Sequence, residues 1–248
     1  MGKIILLLCL VIIMGGCKAN SPLEPKTSKP PALSAWNPST SAYGWMQATL
    51  MRYELKNNSY ADRSLVTGFF YDSVGGVSLA GGLALDSNTV PVLGSEYYST
   101  SGPTFGGTQT WSVTSSSTVP AFSKSIASPS PFRTTAPRSF TDSVSMSAGF
   151  VISYSSPGTD SVIYAVTYDS VKSYLADTTT HNGFHYVWNY VPNTGTIVIP
   201  SALLSSWPTH GIMRITIAAA RTASKLVGSK TYVLRSAVGS TTFCYIKS

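Results

Sequence analysis

The chain has 248 residues, of which 43% are hydrophobic and only 11% charged. There are 39 serines and 27 threonines against three glutamates and two glutamines, too few strong helix formers for a helical bundle and too much apolar content for wholesale disorder. The formal charge of +7 by itself signals only some attraction to polyanions.

In chain order the first element is a targeting segment. Lys3 precedes an unbroken apolar run from Ile4 to Met14, followed by Gly15, Gly16 and Cys17. A spanning helix needs about 20 apolar residues, so the shorter run reads as the apolar region of a secretory signal. Met14-Gly15-Gly16-Cys17 resembles the lipobox of bacterial lipoproteins. The resemblance implies that residues 1–16 are a signal peptide and that Cys17 becomes the diacylated mature N-terminus. Two acyl chains anchor firmly where one holds marginally. An ordinary signal peptide ending near Cys17 is the alternative.

Residues 17–43 read as a tether, with Pro22, Pro25, Pro30, Pro31 and Pro38 among Ser, Thr and Lys. Such a stretch buries no core and is stiffened by its prolines. In lipoproteins an Asp after the acylated Cys favours inner-membrane retention. Lys18 at that place is therefore compatible with the outer membrane, and periplasmic and surface-facing placements both stay open. With Cys9 inside the signal and Cys17 acylated, Cys244 alone remains, so the mature chain forms no internal disulfide. Thr242-Phe243-Cys244-Tyr245-Ile246 reads as a strand in which Cys244 is a small buried residue, not a reactive thiol.

From Gln47 onward short β-prone runs alternate with turn residues, predicting an all-β fold. Strands are expected at Thr49–Leu55, Ser64–Tyr71, Val77–Leu85 and Thr108–Thr114. A Ser- and Pro-rich passage from Ser123 to Pro137 reads as a linker or long crossover. Further strands are expected at Val144–Ser153, Ser161–Tyr168, Phe184–Val191, Gly195–Pro200, Ile212–Ala219, Lys230–Arg235 and Thr241–Lys247. The division expected is an N-terminal β-rich domain over 44–128 and an immunoglobulin-like β-sandwich over 129–248. Gly107-Thr108-Gln109-Thr110-Trp111-Ser112-Val113 and Asn193-Thr194-Gly195-Thr196-Ile197-Val198-Ile199-Pro200 resemble segments of bacterial envelope lipoproteins with two β-rich domains. That resemblance brings no activity with it. Asp-Ser-Val recurs at Asp72, Asp142, Asp160 and Asp169 and reads as a turn leading into a strand.

Few residues carry the chemistry of catalysis. His181 and His185 stand four apart, but Asn182-Gly183 between them reads as a turn, not the helix that would aim both at one metal. Gly76-Val77-Ser78-Leu79-Ala80 approximates a nucleophile elbow, but Gly81-Gly82 is poor helix sequence where the elbow needs a helix. Gly228-Ser229-Lys230-Thr231 has the wrong order for a phosphate loop and reads as a tight turn. No metal, cofactor or catalytic residue is expected, and no nucleic-acid motif is present.

Binding surfaces are the better candidates. Alternation places Phe184, Tyr186, Trp188 and Tyr190 on one face of a strand. The opposite face, with His185, Val187, Asn189 and Val191, is more polar, so the aromatic row is expected to turn inward as core. Were it exposed, Tyr186, Trp188 and Tyr190 would suit stacking on sugar rings. The second pattern is charge: residues 178–248 hold Arg214, Arg221, Lys225, Lys230, Arg235 and Lys247 and no acid. Arg221, Lys225 and Lys230 bracket one apparent loop and could meet acidic glycans or headgroups. The function expected is non-enzymatic: a lipid-anchored envelope protein in a structural, adhesive or binding role. The alternative is a glycan-binding module that uses exposed aromatics with the basic C-terminal half. A small hydrolase or metal-dependent enzyme is the least favoured reading.

Overall fold

The computed structural model describes residues 42–72, 75–169 and 185–247. The signal segment, Cys17, the tether as far as residue 41, His181 and Phe184 lie outside the described residues. The described chain is all-β, interrupted by two short 3-10 turns. Its first strands are β1 (Gly44–Glu54), β2 (Tyr60–Tyr71), β3 (Val77–Ser78), β4 (Gly82–Leu85), β5 (Asn88–Thr89) and β6 (Val92–Leu93). Next come β7 (Glu96–Ser99), β8 (Thr108–Thr114), β9 (Phe122–Ala127), β10 (Thr134–Ala136), β11 (Ser143–Ser145) and β12 (Phe150–Tyr154). The last five are β13 (Ser161–Tyr168), β14 (Tyr186–Pro192), β15 (Thr196–Ile199), β16 (Gly211–Val227) and β17 (Lys230–Lys247).

A ten-stranded main sheet runs in the order β14-β13-β16-β17-β1-β2-β7-β6, with β11 on β17 and β3 on β2. A four-stranded sheet (β5-β4-β8-β9) and a three-stranded sheet (β10-β12-β15) complete the fold. Both small sheets cover the same face of the large one. Phe122 of β9 stacks near Tyr232 of β17, ring centroids 4.7 Å apart. One continuous cluster joins Met46, Leu50, Phe70, Ile215 and Leu234 of the main sheet to Trp111 and Val113 of one small sheet and Ile152 and Ile199 of the other. This is a layered β architecture in which strand alternation supplies the inward side chains.

Several arrangements differ from the linear reading. The strand expected at Val77–Leu85 is two, β3 on the main sheet and β4 in the four-stranded sheet, and the strand expected at Val144–Ser153 is likewise divided into β11 on the main sheet and β12 in the three-stranded sheet. The passage expected as a linker carries strands: β9 pairs with β8 from Ala127 to Phe122, and Thr134 pairs with Tyr154. Its serines satisfy their polar groups locally, as where Ser128 Oγ accepts the N–H groups of Gly106 and Gly107. The two runs expected at Lys230–Arg235 and Thr241–Lys247 are one strand, β17, paired along its length with β16. The tight turn between β16 and β17 uses Gly228 at φ 61°, a conformation glycine takes without steric penalty.

The residue 128/129 division falls between β9 and β10, and the main sheet runs across it. β1 lies parallel to β17 from Gly44↔Tyr232 to Tyr53↔Thr241. Where β1 ends, β11 takes its place beside β17, beginning at Ser143↔Tyr245. Side chains join the same two halves: Ser139 Oγ donates to the Glu54 carbonyl at 2.7 Å, and the Thr134 N–H donates to Ser240 Oγ at 2.9 Å.

Cys244 sits on the inner face of β17, 1% exposed. Burial and nearby Asp142 push its thiol up to about 12. Thiol reagents are therefore expected to label the folded protein far more slowly than the urea-unfolded chain, and equal rates would contradict a buried thiol. The raised value also sets a sign. The protonated thiol stabilises the fold fully below the unfolded thiol's pKa of about 8.5, and this contribution falls as pH climbs toward the folded value. Melting curves should show this alkaline loss in wild type and a smaller one in Cys244→Ala.

Candidate functional site

β14 forms one edge of the main sheet, and its register against β13 decides which of its faces is covered. Val191 pairs with Val162 and Val187 with Val166; both partners are fully buried, and Val187 and Val191 pack on the main core. The aromatics of β14 therefore point the other way. Tyr186 is 45% exposed and Trp188 43%, which corrects the expectation of an inward aromatic row. The reason lies in β13, whose inward positions Val162, Tyr164, Val166 and Tyr168 are bulkier than its outward Ile163, Ala165 and Thr167. The covered side follows the larger total apolar surface of neighbouring strands, not the polarity of β14 alone.

The outward floor beside the row is built from small residues. Tyr190 pairs with Ile163, Trp188 with Ala165 and Tyr186 with Thr167. The next strand continues these rows with Ala218, Thr216 and Arg214. Tyr190 packs onto Ile163, Ala218, Ala220 and Ala237, while Trp188 and Tyr190 meet edge to face at 5.9 Å. Short side chains on the central strands leave the edge aromatics standing above their neighbours.

This face is cationic. Among the described residues, the outward positions of β14, β13, β16, β17, β1 and β2 carry Arg214, Arg235, Lys247 and Arg63 and no carboxylate, Arg235 being fully buried; Glu96 is the acid further along this face, on β7. Arg214 Nε donates to Thr167 Oγ1 at 3.2 Å, in the row that begins at Tyr186. Burial pushes the Tyr53 phenol up, and Arg214 and Arg63 draw it back. The Arg235 guanidinium lies 4.5 Å from the centre of the Trp45 ring. Burial lowers Arg235 to about 10, with Tyr190 acting in the opposite sense.

The basic trio lies elsewhere. Arg221 and Lys225 share alternation with inward Met213, Ile215 and Ile217, so the sheet separates them from the aromatic row. An Arg221 N–H donates to the Gly158 carbonyl at 2.6 Å, and Lys230 Nζ donates to the Thr118 carbonyl at 2.8 Å. These two cations hold loops in place. The arginines beside the aromatics, Arg214 and Arg235, were visible only as members of a basic C-terminal half. Their common face with Trp188 comes from the register of three strands.

The other candidates resolve simply. His185 packs its ring against Tyr168 and Trp207. Among the described residues no group of three or more His, Cys, Asp or Glu could hold a metal ion. Ser78 shares a hydrogen bond with Thr118, and the next element is strand β4, not the helix a nucleophile elbow needs. A shallow groove is lined by Pro137, Asp142, Ser143, Ser145 and Phe150. Its carboxylate, Asp142, accepts the Arg138 N–H and guanidinium, which lower its pKa. A scan against protein-family models finds no match, and no curated protein matches the chain.

Proposed function

We propose that the protein is a lipid-anchored cell-envelope protein that binds glycan, without chemistry of its own, on the outward aromatic strip of β14. The observation that carries this reading is the exposure of Tyr186 and Trp188 on an edge strand whose valines take the core side. Sugar rings present C–H-rich faces that stack on Trp and Tyr, and the half-buried Arg214, steadied by Thr167, brings a guanidinium for ring hydroxyls into the same rows. The C-terminal strands, read as an immunoglobulin-like unit, then carry the binding face. Cys17 supplies the anchor, on the outer membrane in this reading.

A partner strand added to β14 is disfavoured by one contact: Asn189 Oδ1 accepts the N–H of Tyr190 at 2.8 Å. Pairing an N–H of an edge strand with its own side chain removes a donor that strand addition would use. The glycan reading is tested with Trp188→Ala on an array of envelope polysaccharides. Binding is expected to fall by about tenfold or more, the scale of losing one stacked aromatic anchor. Melting should shift little, since the indole is half in solvent. Unchanged glycan binding, or unfolding on truncation, overturns the proposal. The anchor is tested separately by palmitate labelling in cells: wild type should label, and equal labelling of Cys17→Ala would remove the lipoprotein reading.

A further inference from the structure

The outward face of the main sheet is closed at one point although both small sheets lie on the opposite face. Arg235, an outward residue of β17, is 0% exposed. Its outward neighbours Thr49, Ala237 and Thr241 are buried too, but small residues at the centre of a sheet are shielded by larger ones beside them, as Ala237 is by Tyr190. An arginine is long and charged, and is almost never fully buried. Trp45 shields one side of it, 4.5 Å from the guanidinium. Arg52 and Arg133 show how little one ring covers: both lie beside Tyr60, at 3.9 and 4.8 Å, and their side chains stay 13% and 36% exposed. The loop after β10 does reach the outward side, where Phe140 stacks on Phe243. That contact lies eight residues along β17 from Arg235, about 26 Å away.

The chain that precedes β1 joins the sheet close to this point. The Tyr43 N–H donates to the Thr231 carbonyl, four residues along β17 from Arg235 and about 13 Å away. Upstream stand Pro30-Pro31-Ala32-Leu33-Ser34-Ala35-Trp36-Asn37-Pro38. Three prolines in this short stretch favour polyproline II, in which every third residue returns to the same edge. Pro30, Leu33 and Trp36 share such an edge. Surfaces lined by aromatic rings take polyproline II segments, and both Trp45 and Tyr190 lie near the Arg235 charge. The carbonyls of that conformation have no internal hydrogen bonds, which suits a guanidinium with five N–H donors. The seven steps from Trp36 to Tyr43 reach as far as about 23 Å, more than the distance to be covered.

We infer that residues 30–36 of this chain dock on the outward face of the main sheet at Arg235, with Leu33 and Trp36 toward the strands. The contact requires no acylation of Cys17 and lies apart from the glycan strip. Trp188 stands level with Thr241, six residues along β17 from Arg235 and about 20 Å away, so Tyr186 and Trp188 stay open beside the docked segment. Residues 17–29 then form the whole spacer between an anchor at Cys17 and the fold.

The test places the photo-cross-linker p-benzoylphenylalanine at position 36 in the chain beginning at Lys18, which keeps residues 18–41 and every described strand. Mass spectrometry should find its cross-links on β16 and β17 around Thr222 and Arg235, or on β1 around Trp45. Cross-links to the small sheets, or scattered over both faces, overturn the inference. The experiment is run on a mixture of 15N-labelled and unlabelled chains, and cross-links that join the two isotopes as often as random pairing would overturn it in favour of a second copy of the chain. Melting gives an independent reading. Leu33→Ser combined with Trp36→Ser should lower Tm by about 3 °C or more, a measurable loss for a chain of this size. The same pair in the Arg235→Gln background should lower it much less, since both changes remove one contact. An unchanged Tm in the first background, or equal shifts in the two, overturns the inference. The cross-link needs no change at Arg235, so it decides the matter if Arg235→Gln fails to fold.

Discussion

Replacing Trp111 by alanine is expected to destabilise the protein by about 3–5 kcal/mol, the range for removing a large aromatic from a packed core. That is a large part of the stability of an ordinary domain, so the variant should be unfolded or close to it at growth temperature. The indole is 0% exposed. It stands on β8, where Gln109, Trp111 and Val113 face inward in strict alternation, and Leu85 lies directly across from it. Its cluster is continuous from the four-stranded sheet to the main sheet, so the cavity would open at the junction of two layers. Chemical denaturation of Trp111→Ala and Trp111→Phe checks this. Phenylalanine should recover much of the loss, and a loss below about 1 kcal/mol for alanine would mean that the layers are not closed around this residue.

The second large effect is expected at Arg133. Its guanidinium lies 3.1 Å from the Glu54 carboxylate, whose side chain is only 5% exposed. The same guanidinium donates to the Asn58 carbonyl and sits 4.8 Å over the Tyr60 ring. Arg133→Ala strands a buried carboxylate at the end of β1, which costs about 3 kcal/mol. This is the low end of the range for breaking a buried pair, because Arg133 itself is partly solvated. Urea denaturation should show that Glu54→Gln in the Arg133→Ala background recovers part of the loss, since a neutral amide is less costly to leave unpaired. No recovery would mean that Arg133 acts through Asn58 and Tyr60 alone. The solvent-facing Arg138–Asp142 pair should contribute less than about 1 kcal/mol in the same assay.

The legibility of the strands followed their own chemistry. β8 and β13 fall where alternation and β-branched residues placed them, with ends at Thr108, Thr114, Ser161 and Tyr168. Those runs are bounded by turn residues and need no distant partner to be recognised. β9 escaped notice because Phe122 and Ile126 are separated by Ser and Lys, so its apolar signal is sparse beside the nearby prolines. Continuity of β17 was hidden by Ser236, Gly239 and Ser240. These are weak strand formers in isolation, and in the centre of the sheet they let neighbouring residues approach. At Gly239 an added Cβ would lie 2.7 Å from the Met51 side chain.

By itself the sequence determined the class of secondary structure: abundant small hydroxyl residues, few helix formers and period-two alternation specify strands and turns. It determined the two faces of β14, with Tyr186, Trp188 and Tyr190 on one and Val187 and Val191 on the other. Only the tertiary structure decided which face is covered, because that depends on the bulk that β13 and β16 bring alongside. It also decided that β1 lies beside β17 in parallel, a pairing that joins strands nearly 200 residues apart and so has no local signature. The basic residues were separated in the same way. Arg221 and Lys225 fall on the inward side of β16 and Arg214 on the outward side, since their odd and even positions alternate across a sheet whose orientation no single strand specifies.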